Sequence, residues 1–450
     1  MKSVLLISPY FAPMAVIGAK RAMNLSRHLP AQGWRPVILC SKPFRERVDP
    51  ALEELIGSES IVSQTYRRPK RGAARQLKSS KSQTKSSSQN ESQGMLPRRP
   101  REPLFERLTG WSAQYLSPFD REWVEVRHAT REGIRLAREY HVDAIAVSAD
   151  PWSALITARA ISDALHLPLV IDFRDPWTLH SGKSKLRPPP TLAFMRWYER
   201  RLFSRADRVI LNTESCETAY RERDGSLLPA DRFTFIRNAF DSSMFGEWSP
   251  PRPLIDRPFE LTYFGQFRKF VRPDVLFKGV SYFVNSRTLS PSDFRLVIIS
   301  SLDAYAAEAM INYGLEKFIE VRPSVPFIES FEVLQRADAL ALVDGGCPLV
   351  IAGKLYDYLC VGRPILSVAE SDEVNEMIRL SEAGEIASSK DPQEVATRLG
   401  VLYDAACKGS HRMPNFALRA PFDAPAQAAR YAQVLNEAEA HYRLRPQAHG

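Results

Sequence analysis

Residues 353–366 read Gly-Lys-Leu-Tyr-Asp-Tyr-Leu-Cys-Val-Gly-Arg-Pro-Ile-Leu. The spacing predicts a short helix that stops at Gly362, where glycine accepts the left-handed cap conformation, and Pro364 forbids continuation. Ile365 and Leu366 then open a buried strand. Lys354 and Asp357 are three apart and share one helical face, while Leu355, Tyr358 and Leu359 cover another. A carboxylate so placed accepts both hydroxyls of a ribose, and a cation beside the free amides of a helix start suits phosphate. An exposed ion pair on an ordinary helix accounts for the same pattern, and this segment alone does not choose between the two.

Working outward, short apolar runs alternate with helical periodicity. A strand at 4–7, a helix at 18–29 and a strand at 37–40 make a βαβ opening, and parallel strands need such crossovers. The series resumes with a helix at 124–140, strands at 144–148, 169–173 and 208–212, and helices at 153–165 and 192–204 between them. Residues 246–258 hold four prolines and break the pattern, as a linker does. A second alternating series runs from 260 to 343 and ends on the opening helix, a strand at 364–368 and a helix at 372–380. The expectation is an α/β chain of two tandem Rossmann-like, doubly wound parallel-sheet domains facing a cleft, with ligands at the carboxyl ends of the strands. The domains fall at 1–245 and 259–415, joined by 246–258, with 416–450 carrying a last helix that crosses back toward the first domain. At 450 residues, two cores are the natural division.

Composition narrows the class. With 44% hydrophobic and 25% charged residues the chain reads as soluble and globular. No apolar run is long enough to span a bilayer, and the first residues turn polar too soon for a signal peptide, which points to the cytosol. The five cysteines (Cys40, Cys216, Cys347, Cys360, Cys407) are scattered without metal-ligand spacing, as in a reduced compartment. The formal charge of +9 is confined to one tract: residues 64–103 contain eleven Lys or Arg against two Glu, and the remainder sums to zero. That tract has almost nothing apolar to offset the entropy of ordering, so it reads as a disordered insert. After it, Leu104, Phe105, Leu108, Trp111, Tyr115, Leu116 and Phe119 form one apolar helical face. Core packing explains such a stripe. So does docking on an anionic membrane, worth about 1 kcal/mol per cation near the surface. Nucleic acid is disfavoured, since no groove-reading helix or stacking platform accompanies the charge.

Several separated pieces, in order, resemble one family. Ser8-Pro-Tyr-Phe-Ala-Pro13, with Gly18, Arg21 and Gly33 after it, looks like the first strand, loop and helix of the GT-B glycosyltransferases, in particular retaining glycosyltransferase family 4 of bacterial surface-polysaccharide assembly. Val170-Ile-Asp-Phe-Arg-Asp-Pro-Trp177 is similar to a signature of one branch. Ile236-Arg-Asn-Ala-Phe-Asp241 resembles the end of the family's first domain, and Tyr263-Phe-Gly-Gln-Phe267 with Arg268 and Arg272 its donor-domain opening.

The resemblance implies a metal-independent, retaining hexosyl transferase that uses a nucleotide-sugar as substrate, needs no cofactor, and acts on a lipid-linked or saccharide acceptor. The departing diphosphate needs cations and amides aimed at its oxygens. Arg268, Arg272 and Lys354 are the candidates for that work, Asp357 the ribose ligand, and Gly18, Gly265, Gly345 and Gly346 the places where backbone approaches closely. Arg174 and Asp175 would face the reacting end, although a strand-end ion pair under a Trp explains them structurally as well. Asp150 and Trp177 would contact the acceptor. The chain departs from the pattern at the family's pair of glutamates, whose positions fall on Leu349 and Asp357. Two other readings remain: a nucleotide-sugar epimerase of the same architecture, and a non-catalytic nucleotide-sensing or scaffolding partner of a transferase.

Overall fold

The computed structural model describes residues 1–43, 48–66, 119–180, 187–267, 271–344, 347–410 and 414–444. Arg268, Gly345, Gly346, most of the basic tract and nearly all of the aromatic stripe lie outside them.

Two parallel sheets form. The first orders its strands β3-β2-β1-β4-β5-β6-β7, from β1 (Lys2–Ile7), β2 (Trp34–Ser41), β3 (Ile61–Tyr66), β4 (Ala144–Ala149), β5 (Leu169–Phe173), β6 (Arg208–Leu211) and β7 (Phe233–Phe235). The second runs β10-β9-β8-β11-β12-β13, from β8 (Phe259–Phe264), β9 (Phe294–Ile299), β10 (Ile319–Arg322), β11 (Ala339–Val343), β12 (Ile365–Val368) and β13 (Gly384–Ala387). Every pairing is parallel. Buried on both faces, the central strands are continuous apolar runs such as Val4–Leu5–Leu6–Ile7 rather than alternating ones.

Helices cover both faces of each sheet. In the first domain α1 (Ile17–His28) lies on one face, and α2 (Val126–Glu139), α3 (Ser153–Leu165), α4 (Pro189–Arg205) and α5 (Glu214–Asp224) on the other. In the second, α6 (Asp274–Ser286), α7 (Ala304–Asn312) and α11 (Pro392–Cys407) pack opposite α8 (Phe327–Gln335), α9 (Gly353–Val361) and α10 (Asp372–Leu380). After the short α12 (Phe416–Arg419), the long α13 (Ala424–Leu444) returns to the first sheet. There Ala428, Tyr431, Leu435 and Ala438 join the core of α1 and β1, and Lys2 reaches Glu439 at 2.5 Å.

The opening segment folds as its spacing requires. Gly362 sits at φ +79° and donates its N–H to the Tyr358 carbonyl at 3.1 Å, closing α9. Arg363, 1% exposed, holds the proline-rich linker by donating to the carbonyls of Gln335 (Nε, 3.0 Å) and Ser249 (Nη1, 2.8 Å), and burial lowers its pKa to about 10. One boundary needs correction: residues 64–66 are not part of the insert but the end of β3, whose residues 61–63 pair with Val37, Ile38 and Leu39. Edge pairing fixes those residues despite their polarity.

A buried ion pair stands at the centre of the first domain, where Arg21 Nε of α1 donates to Asp172 Oδ2 of β5 at 2.7 Å. Burial pushes the Asp172 carboxyl above its ordinary value, against the pull of Arg21. Arg21→Met should therefore cost about 3–5 kcal/mol near neutral pH by stranding a buried charge. Because a carboxylate with a raised folded pKa gains stability as it takes up a proton, the loss should shrink in mildly acidic buffer. Urea unfolding at the two pH values measures both effects.

Candidate functional site

Strand order reverses between β1 and β4 in the first sheet and between β8 and β11 in the second. Connections leave such switch points in opposite directions and open a crevice at the strands' carboxyl ends.

At the first switch point Gly18 occupies the opening turn of α1. A Cβ there would lie 2.1 Å from Arg174 Nη1 and 2.8 Å from Tyr10 Cδ2, so only glycine leaves room for the guanidinium. Arg174 follows β5, donates from Nε to the Ala149 carbonyl at 3.1 Å and also to the Asp150 carbonyl, and lies over the Tyr10 ring at 5.7 Å. Burial lowers its pKa, while Asp150, Asp175 and Asp172 act in the opposite direction. The structure thus brings Gly18, Arg174, Asp175 and Asp150 together.

Trp177 does not join them. Its ring is 3% exposed and stacks on Trp152 at 5.2 Å, which corrects its assignment to the acceptor. The reason is local: the Trp177 backbone N–H donates to Tyr220 Oη at 3.1 Å, and Tyr220 Oη donates to the fully buried Glu199 at 2.7 Å. Glu199 also accepts from Thr178 Oγ1 and from Arg223 at 2.8 Å. This network draws the residues after Asp175 into the core and leaves Arg174 and Asp175 half-buried at its edge.

At the second switch point β8 is followed by Gly265, at φ +114°. A Cβ on Gly265 would stand 3.5 Å from Lys354 Nζ, which lies 3.9 Å over the Tyr263 ring. The Tyr358 hydroxyl accepts from Phe264 N–H at 3.0 Å and donates to the Ala341 carbonyl at 3.3 Å, locking α9 to β8 and β11. Gly265 and Lys354 are therefore neighbours. Arg272 is exposed and lies 5.2 Å from the Tyr305 ring, whose hydroxyl donates to Asp274 at 2.6 Å.

The domains meet between these two clusters. Both carboxylate oxygens of Asp357 accept from Lys20 Nζ of α1 at 2.9 Å, and the same ammonium lies 3.9 Å over the Phe327 ring. The first residues of α9 and α1 approach, since a Cβ on Gly353 would be 4.0 Å from Ile17 Cγ2. Thr213 Oγ1 donates to the Leu349 carbonyl at 3.0 Å, and the Leu349 side chain packs against the first domain's core. Further along, Glu373 of α10 caps the start of α5, accepting from Glu214 N–H (3.1 Å), Ser215 N–H (3.1 Å), Ser215 Oγ (2.8 Å) and Arg237 Nε (2.8 Å). Two open cavities, of about 500 and 460 Å³, lie elsewhere, one beside α4 and one lined by Arg252, Arg322 and Arg336.

Sequence reading missed Lys20 and Glu373. Lys20 sits beside Arg21 on a recognised helix, but nothing local says that it reaches another domain. Glu373, in the first turn after the capping Ser371, reads as an ordinary favourable charge at its own helix's start. Glu373→Ala would leave the α5 amides and Arg237 without their carboxylate. It should cost about 2–3 kcal/mol and speed proteolytic cleavage in 246–258, with fragment yield over time as the readout.

Residues 18–239 match the model of the glycosyl transferase 4-like domain. The whole chain is similar in structure to HepE from Anabaena in complex with UDP, with TM-score 0.60, 14% identity, and coverage of 97% of this chain and 100% of that one. It is also similar to sucrose-phosphate synthase from Thermosynechococcus elongatus (TM-score 0.59, 14% identity, 98% of this chain and 100% of that one). A putative UDP-N-acetylglucosamine 2-epimerase from Listeria monocytogenes aligns at TM-score 0.54 and 13% identity, over 99% of this chain and 98% of that one. No curated protein matches in sequence. Two parallel-sheet domains with switch points facing one boundary, and a matched segment that spans most of the first of them, lead to one statement: residues 18–239 are similar to the glycosyl transferase 4-like domain, and the chain as a whole has the GT-B fold.

Proposed function

We propose that this protein is a metal-independent, retaining glycosyltransferase that moves a hexosyl group from a nucleotide-sugar to a lipid-linked saccharide in bacterial surface-glycan assembly, at the cytoplasmic face of the membrane. The observation that carries the reading is the meeting of α1 and α9 at their first turns, with Lys20, Lys354 and Arg174 around it. Two helix starts and three cations favour a diphosphate there. Asp357 holds the ribose. Lys20 supplies one ammonium to its two oxygens, and a carboxylate has further lone pairs for two hydroxyls.

In the reaction the bond from anomeric carbon to diphosphate oxygen breaks, and an acceptor oxygen forms the new bond on the same face. Charge grows on the leaving phosphate, which takes the acceptor's proton. Fixed cations and amides stabilise that charge without reorganising. Lys354, with Arg268 and Arg272, serves the diphosphate, and Gly265, Gly345 and Gly346 admit backbone close to it. Arg174 and Asp175 sit at the reacting end, with Asp150 toward the acceptor. Among the described residues no helix is long and apolar enough to cross a membrane, so the reading uses residues 64–119 for peripheral attachment.

Thermal-shift titration with UDP, GDP, dTDP and CMP sugars tests the donor, UDP first because the HepE structure contains it. Lys354→Ala and Asp357→Ala should each weaken nucleotide-diphosphate binding about ten- to hundredfold, the worth of a charge-assisted hydrogen bond, while keeping the unliganded melting temperature. Unchanged affinity in both sinks the donor assignment. Gly18→Ala, by displacing Arg174, should lower kcat about tenfold or more and also weaken donor binding, as steady-state kinetics and nucleotide titration would read. Accumulation of an isomerised sugar with no acceptor present would replace the transferase by an epimerase.

A further inference from the structure

The outer face of α4 combines exposed rings with cations. Its inner side is ordinary core: Met195, Glu199, Leu202 and Phe203 are buried. Its outer side exposes Phe194 (43%) and Trp197 (49%) next to each other, their rings 5.6 Å apart, and the adjoining loop adds Leu227 at 65%. Arg201 lies over the Trp197 ring at 4.8 Å. Arg196, Arg200 and Arg201 are all exposed on this face and line its cavity of about 500 Å³. The carboxylate in that cavity, Asp224, is already neutralised by Arg200 at 2.9 Å and by Arg223. Among the described residues neither Arg196 nor Arg201 has an acidic partner. The face is therefore aromatic, aliphatic and positively charged at once.

We propose that this face of α4 docks the protein on an anionic lipid surface, with Trp197, Phe194 and Leu227 entering the headgroup region and Arg196 and Arg201 pairing with lipid phosphates. Charge complementarity selects the occupant. An aromatic and arginine pairing is what a bilayer interface accommodates, because the rings take the apolar side of the boundary and the guanidinium groups reach the phosphates. The rings are held as a group: Phe119, the last residue of the aromatic stripe, packs edge-on against Phe194 at 6.4 Å and Tyr198 at 5.2 Å. Three exposed arginines on the same helix face present one electrostatic surface to a membrane. The proposal rests on the reading above only for its lipid-linked acceptor, and the donor site plays no part in it.

Flotation of the full chain with vesicles of phosphatidylcholine, alone or with added phosphatidylglycerol, tests this, with UDP thermal shift recorded on every sample. The wild type should float with anionic vesicles only. Phe194→Ser/Trp197→Ser should lose about tenfold in partitioning, and Arg196→Ser/Arg201→Ser about fivefold per arginine removed. Brominated acyl chains should quench the intrinsic fluorescence, and the conservative Trp197→Phe should remove that quenching while leaving flotation nearly intact. Wild-type flotation by both double variants overturns the proposal and moves lipid binding elsewhere in the chain. Failure of the wild type to float, or α4-dependent capture of a protein partner in its place, overturns it too. An unaltered UDP shift in the variants separates either result from a failure of the donor site.

Discussion

The first domain is organised around one buried ion pair, Arg21 with Asp172, whose side chains are 2% and 0% exposed. Arg21 also donates from Nη1 to the carbonyls of Ile236 (2.9 Å) and Arg237 (3.1 Å), and α13 completes the enclosure as Gln427 donates to the Arg237 carbonyl at 2.8 Å. A single guanidinium thus fixes α1, β5, the segment after β7 and, through it, the returning helix. Such a pair is a poor source of net stability, since desolvation offsets attraction. Among the described residues Arg21 Nη2 and Asp172 Oδ1 even lack hydrogen-bond partners. Its consequence is directional. Successive helical residues project about 100° apart, so with Arg21 turned into the core Lys20 faces the domain boundary. Two residues after Asp172, Arg174 emerges beside Gly18.

The boundary itself is held unevenly. Glu373 is nearly buried and accepts from two backbone amides, a hydroxyl and a guanidinium, which is the geometry in which a carboxylate contributes most. The Lys20–Asp357 pair is more exposed, at 29% and 16%, and solvent screening weakens such a contact. The firm contact lies on the α5 side and the weak one at the helix starts. A ligand arriving at the helix starts therefore competes with the weaker of the two, while the domains stay aligned by the other.

Much of this was legible in the sequence because it is local. The α9 helix, its glycine stop and its division into a Lys354–Asp357 face and a buried face follow from spacing and cap chemistry, and parallel sheets follow from alternating periods. Elements without a strong apolar period were passed over. α5 buries only Cys216, Tyr220 and Asp224, β7 has three residues, and β13 (Gly-Glu-Ile-Ala) has no apolar run. Trp177 was misplaced because a motif gives position along the chain and not the direction of a ring. That direction is set by stacking on Trp152 and by the hold of Tyr220 on the Trp177 backbone, both outside the motif. Lys20 and Glu373 escaped for the same reason: their partners lie in the other domain.

Leu349 shows how a departure from a pattern acquires a physical role. In place of the carboxylate common in the resembled family, this chain has an apolar side chain that packs on the first domain's core while its carbonyl accepts from Thr213. An ionised group there would meet the same apolar neighbours and would have to be desolvated or expelled. The position is thus committed to holding the domains together. On the first-domain side the described acids around Arg174 are Asp150, Asp175 and Asp172, of which Asp172 is engaged by Arg21, and the geometry of that corner depends on Gly18 having no side chain.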